Sequence, residues 1–292
     1  MKLPMNRRHF LRTTLASTLA IPAFVRAADS PYRDQIGLQL YTLRRPMEND
    51  AEGTIRAVAE AGYHQVEAQN FRERPEILEM ARDNGLVVNS SHFTWQSVTN
   101  PEKEGVPAFD DILEDAREAG LTHLVIPYLD ANERRNLDDY RLVAERCNDA
   151  AARAKEAGIQ LAYHNHAFEF EPLEDGKSGY DVLAEEFAPE MMFEIDVFWV
   201  AAGGHDPVKW IEKLAGRTSQ LHLKDLKEGI ATPNYGKLPD DAFQELGDGV
   251  IPMAPILAAA ADAGVVHCHV EQDQSPDPVA SIRQSYEHLE TL

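Results

Sequence analysis

Four short segments of the chain each end in a side chain able to hold a metal ion, and each ends where a strand would give way to a loop. They are Leu161-Ala-Tyr-His-Asn-His166, Met192-Phe-Glu-Ile-Asp196, Gln220-Leu-His222 and Val266-His-Cys-His-Val-Glu271. Each is β-rich and follows a helical pattern closed by a Gly or a turn, so His164, Asp196, His222 and Glu271 would converge from four successive strands. In a parallel barrel the carboxyl ends of the strands share one rim, and catalytic groups collect there. A mixed nitrogen and oxygen ligand set at such a rim can hold a divalent ion and leave positions open for substrate.

The elements that must position these groups follow from the hydrophobic pattern. Gln35-Ile-Gly-Leu-Gln-Leu-Tyr41 alternates with period two, placing Ile36, Leu38 and Leu40 on one side and Gln39 and Tyr41 on the other. In a barrel the aliphatic side packs on helices and the polar side faces inward. Strands are expected over 65–69, 86–92, 123–128, 159–164, 191–197, 219–224 and 265–271. The helices expected between them run near 51–61, 74–84, 108–119, 137–157, 179–187, 206–214 and 252–263, with a closing helix over 277–290. Ala-Gly pairs at 61–62, 119–120, 157–158 and 263–264 end helices just before strands. Eight alternating units predict an α/β fold of the (β/α)₈ TIM barrel type as one domain over 29–292. A doubly wound sheet would carry a Gly-rich turn after its first strand, and Tyr41-Thr-Leu-Arg44 is not one.

The first 28 residues are set apart from the fold. Asn6-Arg7-Arg8-His9-Phe10-Leu11-Arg12, a modest apolar run over 15–24 and the small residues Ala27-Ala28 read as a cleaved signal peptide of the twin-arginine type. That implies the Tat export machinery as a partner and a periplasmic mature protein. The run is too short and interrupted to span a membrane well. Export in the folded state would let a weakly binding ion such as Mn²⁺ be loaded before the chain meets competing metals. Five basic and no acidic residues precede Ala28, so cleavage takes the net charge from −21 to −26. Such a surface repels nucleic acid and anionic lipid. Cys147 and Cys268 do not make a disulfide framework and read as small buried apolar residues.

Several motifs, in order, resemble the sugar phosphate isomerase/epimerase family of xylose-isomerase-like barrels. They are Gly37-Leu-Gln-Leu-Tyr-Thr-Leu-Arg44, Tyr163-His-Asn-His-Ala-Phe-Glu-Phe170, Phe193-Glu-Ile-Asp-Val-Phe-Trp199 and Asp206-Pro-Val. Gly216-Arg-Thr-Ser-Gln-Leu-His-Leu-Lys-Asp225, Glu245-Leu-Gly-Asp-Gly249 and Val270-Glu-Gln-Asp273 complete the set. The resemblance implies one divalent ion (Mn²⁺ first, with Zn²⁺, Co²⁺ or Mg²⁺ as alternatives) on four rim ligands, usually Glu, Asp, His and Glu. Asp196, His222 and Glu271 match in type. The first position departs: His164 stands where a Glu is usual, with His166 competing for the role and His164 favoured because it lies deeper in the strand.

The implied activity is a metal-dependent isomerase or epimerase acting on a keto-sugar through an enediolate. Glu271 is the expected base, Glu169 and His166 could move a proton on the opposite face, and Lys224 could neutralise oxyanion charge. With His164 replacing a carboxylate, elimination or hydration on a keto-sugar or inosose-like substrate carries nearly equal weight. Glu194, on the inward parity below Asp196, is expected to orient ligands. Tyr41, His92, Trp95, Tyr128, Asn165 and Trp199 are candidates for the substrate wall, since aromatic faces suit the C–H faces of sugars. The stretch 227–249 is a lid or a long surface connection. An endonuclease-IV-like enzyme would need further His ligands and a basic groove. A non-catalytic sugar-binding barrel would keep the wall without the ion.

Overall fold

The computed structural model describes Tyr32 and residues 35–292, so the expected leader lies outside the described residues. Eight parallel strands close into a barrel: β1 (Ile36–Gln39), β2 (Gln65–Ala68), β3 (Val87–His92), β4 (His123–Ile126), β5 (Gln160–His164), β6 (Met191–Asp196), β7 (Thr218–Leu223) and β10 (His267–Val270). Neighbours run in chain order, and β10 closes the ring by pairing with both β7 and β1. Two further strands, β8 (Asp225–Leu226) and β9 (Phe243–Gln244), form a small antiparallel ribbon outside the barrel. It anchors both ends of the stretch after β7, which is therefore a tethered connection.

Helices cover the outside. Those expected near 51–61, 74–84, 108–119 and 137–157 are found at Ala51–Glu60, Glu76–Asp83, Phe109–Glu118 and Leu137–Glu156. The later ones lie at Gly179–Glu186, Pro207–Lys213, Met253–Ala263 and Pro278–Glu290. Side chains close several helix starts: Asp50 accepts from the Gly53 amide, Asn136 from Asp139 and Ser178 from Asp181. At the far end of Met253–Ala263, Gly264 takes a left-handed φ of 78°, where a β-carbon would be strained. Short helices at Arg44–Asn49, Gln96–Thr99 and Val197–Ala202 are additions to the predicted pattern. The last begins immediately after β6, because Asp196 both ends the strand and caps the helix. Tyr41 lies on a 3₁₀ turn, Leu40–Leu43, beyond the end of β1.

The strand alternation divides the barrel as expected. Ile36, Leu38, Val66, Leu124, Leu161, Phe193, Ile195, Leu221 and Val270 are buried under the helices. Each such side chain contributes roughly 1.5–3 kcal/mol of burial free energy. Cys147 and Cys268 are both free and buried, and burial pushes both thiols up, away from the reactive thiolate. The interior is different in kind. Barrel interiors are usually filled by branched aliphatics, whereas here Gln39, Glu67, Ser90, Glu194, Gln220, His222 and His269 are all fully buried. Burying so many polar groups is costly unless they are paired, and their pairing defines the site. Among the described residues no helix is long and apolar enough to cross a membrane.

Candidate metal centre and cavity

Asp196 ends β6 with its carboxylate divided between two tasks. Its Oδ1 accepts from the Phe198 and Trp199 amides, at 2.9 and 3.1 Å, capping the following helix. Its Oδ2 is left to the rim, where the Lys224 ammonium lies 3.1 Å away. Asn165 fixes the backbone there, accepting from the Asp196 amide at 3.0 Å and donating to its carbonyl at 3.3 Å.

His222 is held from below and open above. Its Nε2 lies 2.8 Å from Glu67 Oε1 and 3.3 Å from Glu194 Oε2. Its Nδ1 faces the rim, 2.9 Å from Glu271 Oε2 and 3.9 Å from Asp196 Oδ2. A carboxylate on one ring nitrogen fixes the tautomer and raises the basicity of the other, which is how ligating histidines are commonly prepared. Glu194 also lies 3.4 Å from His164 Nδ1 and accepts from Gln220 at 2.8 Å, in the orienting position its strand parity implied.

Between the two competing histidines, the structure puts His164 beside the rim carboxylate, with Nε2 3.8 Å from Asp196 Oδ2. One ligand atom each from His164, Asp196 and His222 fits within 4.8 Å of the others. Two ligands at about 2.0–2.2 Å from one ion are separated by at most ~4.4 Å. A small side-chain adjustment closes that difference. All three side chains are buried, and their present partners at the rim are ionic: Lys224 Nζ 3.1 Å from Asp196 Oδ2 and Glu271 Oε2 2.9 Å from His222 Nδ1. A borderline divalent cation would satisfy this set, and Glu271 is adjacent to complete it.

Lys224 joins the rim. Its Nζ lies 2.7 Å from Glu271 Oε2, 3.1 Å from Asp196 Oδ2 and 3.3 Å from Asp273 Oδ1. Burial alone would lower the pKa of its ammonium, but Asp196, Asp273 and Glu271 carry it well above its usual range. Burial likewise works against an ionised Glu271, yet Lys224 and His222 hold that carboxyl well below its usual range. Asp273 goes the other way: burial, outweighing Lys224, pushes it up to about 7. The rim thus offers one firmly ionised carboxylate and one carboxyl able to carry a proton near neutrality.

Above these groups opens a cavity of about 480 Å³, in the range of small-molecule sites. Tyr41, His92, Trp95, Tyr128, His164 and His166 form its wall, and Lys224, Glu271 and Asp273 its floor. The His166 ring stacks on Phe168 at 5.3 Å and lies 5.0 Å from Trp199. Burial, reinforced by His164 and Lys224, holds it well below the usual histidine range, so it is a neutral imidazole.

Five sequence candidates fall outside the cavity lining: Asp196 and His222, both fully buried beside it, and Glu169, Asn165 and Trp199. Glu169 is fully buried behind it, accepting from the Tyr163 hydroxyl at 2.6 Å and the His166 amide at 2.8 Å. Its place is to fix the backbone of His166. Asn165 is turned toward the Asp196 backbone, and Trp199 backs His166 from the helix Val197–Ala202. Conversely, sequence reasoning singled out neither Glu67 nor Asp273 as a site residue. The signals were a Glu on the inward parity of Gln65-Val-Glu-Ala68, and the second acid of Val270-Glu-Gln-Asp273.

A closed parallel barrel with metal-capable nitrogen and oxygen side chains on its carboxyl-end rim defines a class of (β/α)₈ proteins. The chain belongs to the xylose isomerase-like TIM barrel family, whose pattern matches residues 55–292. It is 26% identical over 251 residues to the inosose dehydratase of Clostridium perfringens, covering 77% of this chain and 84% of that protein. A second inosose dehydratase, from Clostridium beijerinckii, is 22% identical over 232 residues, covering 72% of this chain and 77% of that one. Among solved structures, a sugar phosphate isomerase/epimerase from Parabacteroides distasonis superposes with a TM-score of 0.71 at 27% identity. It covers 93% of this chain and 98% of its own.

Proposed function

We propose that this protein is a metal-dependent enzyme that removes a proton beside the carbonyl of a keto-sugar or keto-cyclitol, with loss of water as the favoured outcome. The observation that carries the reading is the rim itself. His164 Nε2 and His222 Nδ1 lie 3.8 and 3.9 Å from Asp196 Oδ2, beside Glu271 and next to a sugar-sized cavity that His164 and Glu271 line. When bound there, a divalent ion (Mn²⁺ first, or Zn²⁺, Co²⁺ or Mg²⁺) supplies Lewis-acid withdrawal of charge from a carbonyl and its neighbouring hydroxyl. Glu271, held ionised by Lys224 and His222, is able to take the C–H proton. The Lys224 ammonium, kept charged by three carboxylates, balances negative charge that develops on substrate oxygen. Asp273 lines the cavity with a carboxyl pushed up to about 7, and can protonate a departing hydroxide so that it leaves as water.

Loss of water is favoured over epimerisation because His164 stands where a second, facing carboxylate would be needed. The family relatives named inosose dehydratase support the same outcome. Epimerisation or isomerisation is the second reading, supported by the likeness to the Parabacteroides distasonis protein. Export to the periplasm by the Tat route belongs to the same proposal and rests on Arg7, Arg8 and the apolar run that follows.

The test is a panel of keto-sugars and keto-cyclitols in deuterated buffer with protein loaded with each of the four metals, followed by proton NMR. Release of water and an unsaturated product, with deuterium beside the carbonyl of recovered substrate where proton loss reverses, supports elimination. Deuterium without loss of water supports the second reading. Metal-loaded protein that exchanges no substrate proton would overturn both and leave a sugar-binding barrel.

A further inference from the structure

Below the rim the barrel holds a second group of metal-capable side chains, of which the proposed chemistry uses only His222. Glu67 on β2, Glu194 on β6, His222 on β7 and His269 on β10 each present one ligand atom, all within 4.8 Å of one another. All four are completely buried. Glu194 and His269 sit two residues before Asp196 and Glu271, which places the group one inward layer deeper.

Three independent features mark this layer as more than a polar core. First, neither ring nitrogen of the fully buried His269 has a hydrogen-bond partner. Leaving a buried polar atom unsatisfied costs about 1–3 kcal/mol, and a metal ion would use the imidazole lone pair. Second, among the described residues the ion-pair partners of Glu67 and Glu194 are histidines alone. His92 lies 3.2 and 3.7 Å from them, His222 2.8 and 3.3 Å, and His164 3.4 Å from Glu194. Lys224 is committed to the rim carboxylates. Two fully buried carboxylates reached by no Lys or Arg depend for counter-charge on these imidazoles or on a dication set between them. Third, the neighbouring strand gives up a side chain for the imidazole. A β-carbon on Gly37 would stand 2.4 Å from His269 Cδ2.

We propose that Glu67, Glu194 and His269, completed by His222 Nε2, form a second divalent-cation site inside the barrel, distinct from the rim site. Two carboxylates with imidazoles suit Zn²⁺ and Co²⁺. Gln220 holds the two acids in register, donating to Glu194 Oε1 at 2.8 Å and to Glu67 Oε2 at 3.3 Å. The inference rests on the proposed function only in that His222 serves both layers, Nδ1 above and Nε2 below.

The test is a titration of the metal-free full chain with Co²⁺, read by visible absorption, with bound cobalt counted by mass spectrometry. Wild type is expected to take two Co²⁺ per chain. Glu271→Gln should keep the interior ion, and His269→Gln should keep the rim ion, with unchanged circular dichroism. Glu194→Gln is the isosteric second variant if His269→Gln does not fold, and should weaken the interior ion at least tenfold. One Co²⁺ in wild type that survives His269→Gln and Glu194→Gln overturns the interior site and leaves the rim reading standing. One Co²⁺ that survives Glu271→Gln and is lost in His269→Gln upholds the interior site and sinks the rim reading. Absence of bound Co²⁺ in wild type overturns both.

Discussion

Lys224 Nζ lies 2.7 Å from Glu271 Oε2, so the rim contains its own cation beside the carboxylate expected to hold a metal. The same ammonium is 3.1 Å from Asp196 Oδ2. A fixed positive charge there repels an incoming dication while it stabilises negative charge on substrate. Lys224→Met is therefore expected to tighten Mn²⁺ binding by about tenfold and to lower turnover by about 10²-fold. Calorimetric titration beside steady-state rates checks the pair. Weaker binding in the variant would show that Lys224 orders the ligands more than it competes with the ion.

Asp196 separates metal binding from helix capping. Asn is as good a cap as Asp, and it keeps an oxygen for the Phe198 and Trp199 amides while removing the charge at Oδ2. Asp196→Asn should abolish binding of the rim ion at a stability cost under about 1 kcal/mol. Asp196→Ala should add roughly 1 kcal/mol more for the lost cap. Urea denaturation of the metal-free variants measures the difference, and equal midpoints would remove the capping role.

Glu169 gives a pH dependence with a definite sign. Burial raises its carboxyl to about 7 in the folded chain, above the ordinary 4.5. The folded state therefore binds more protons than the unfolded state between these values, and stability falls as pH rises from about 4.5 through 7. The shift corresponds to about 3 kcal/mol as an upper figure. The difference in Tm between Glu169→Gln and wild type should grow in favour of the variant from pH 4.5 to pH 8. A difference that stays flat would refute a raised carboxyl. Because Glu169 lies behind the cavity wall, turnover at pH 8 should stay within about threefold of wild type.

Asp225 tethers the segment after β7 through four amides. Its carboxylate accepts from Leu226 at 2.9 Å, Gly247 and Gly249 at 3.0 Å, and Ile251 at 2.8 Å. A β-carbon on Gly249 would stand 2.3 Å from Asp225 Oδ1, which explains a glycine there. Asp225→Ala leaves several buried donors unsatisfied and should cost about 2–4 kcal/mol. Limited proteolysis should then cut within 227–249 well before the barrel. Cleavage rates like those of wild type would mean the β8–β9 ribbon holds the segment unaided.

Much of this molecule was legible along the chain because the relevant physics is local. Helix ends were marked by Gly after Ala, strands by alternation, and the inward side by the polar residues Gln39 and Glu194. Asp196, His222 and Glu271 stood at strand ends, so a parallel barrel had to bring them to one rim. The tertiary structure decided what depends on closure. Glu67 and His222 are 155 positions apart, and no periodicity links them until the ring of strands sets them face to face. His164 and His166 share one strand parity, and the sequence favoured His164 only by its depth in the strand. The packing of His166 against Tyr128, Phe168 and Trp199 depends instead on the turn after β5. Glu169, Asn165 and Trp199 took supporting places for the same reason: the backbone just past a strand end turns on hydrogen bonds to distant partners, and the chain's pattern does not encode that direction.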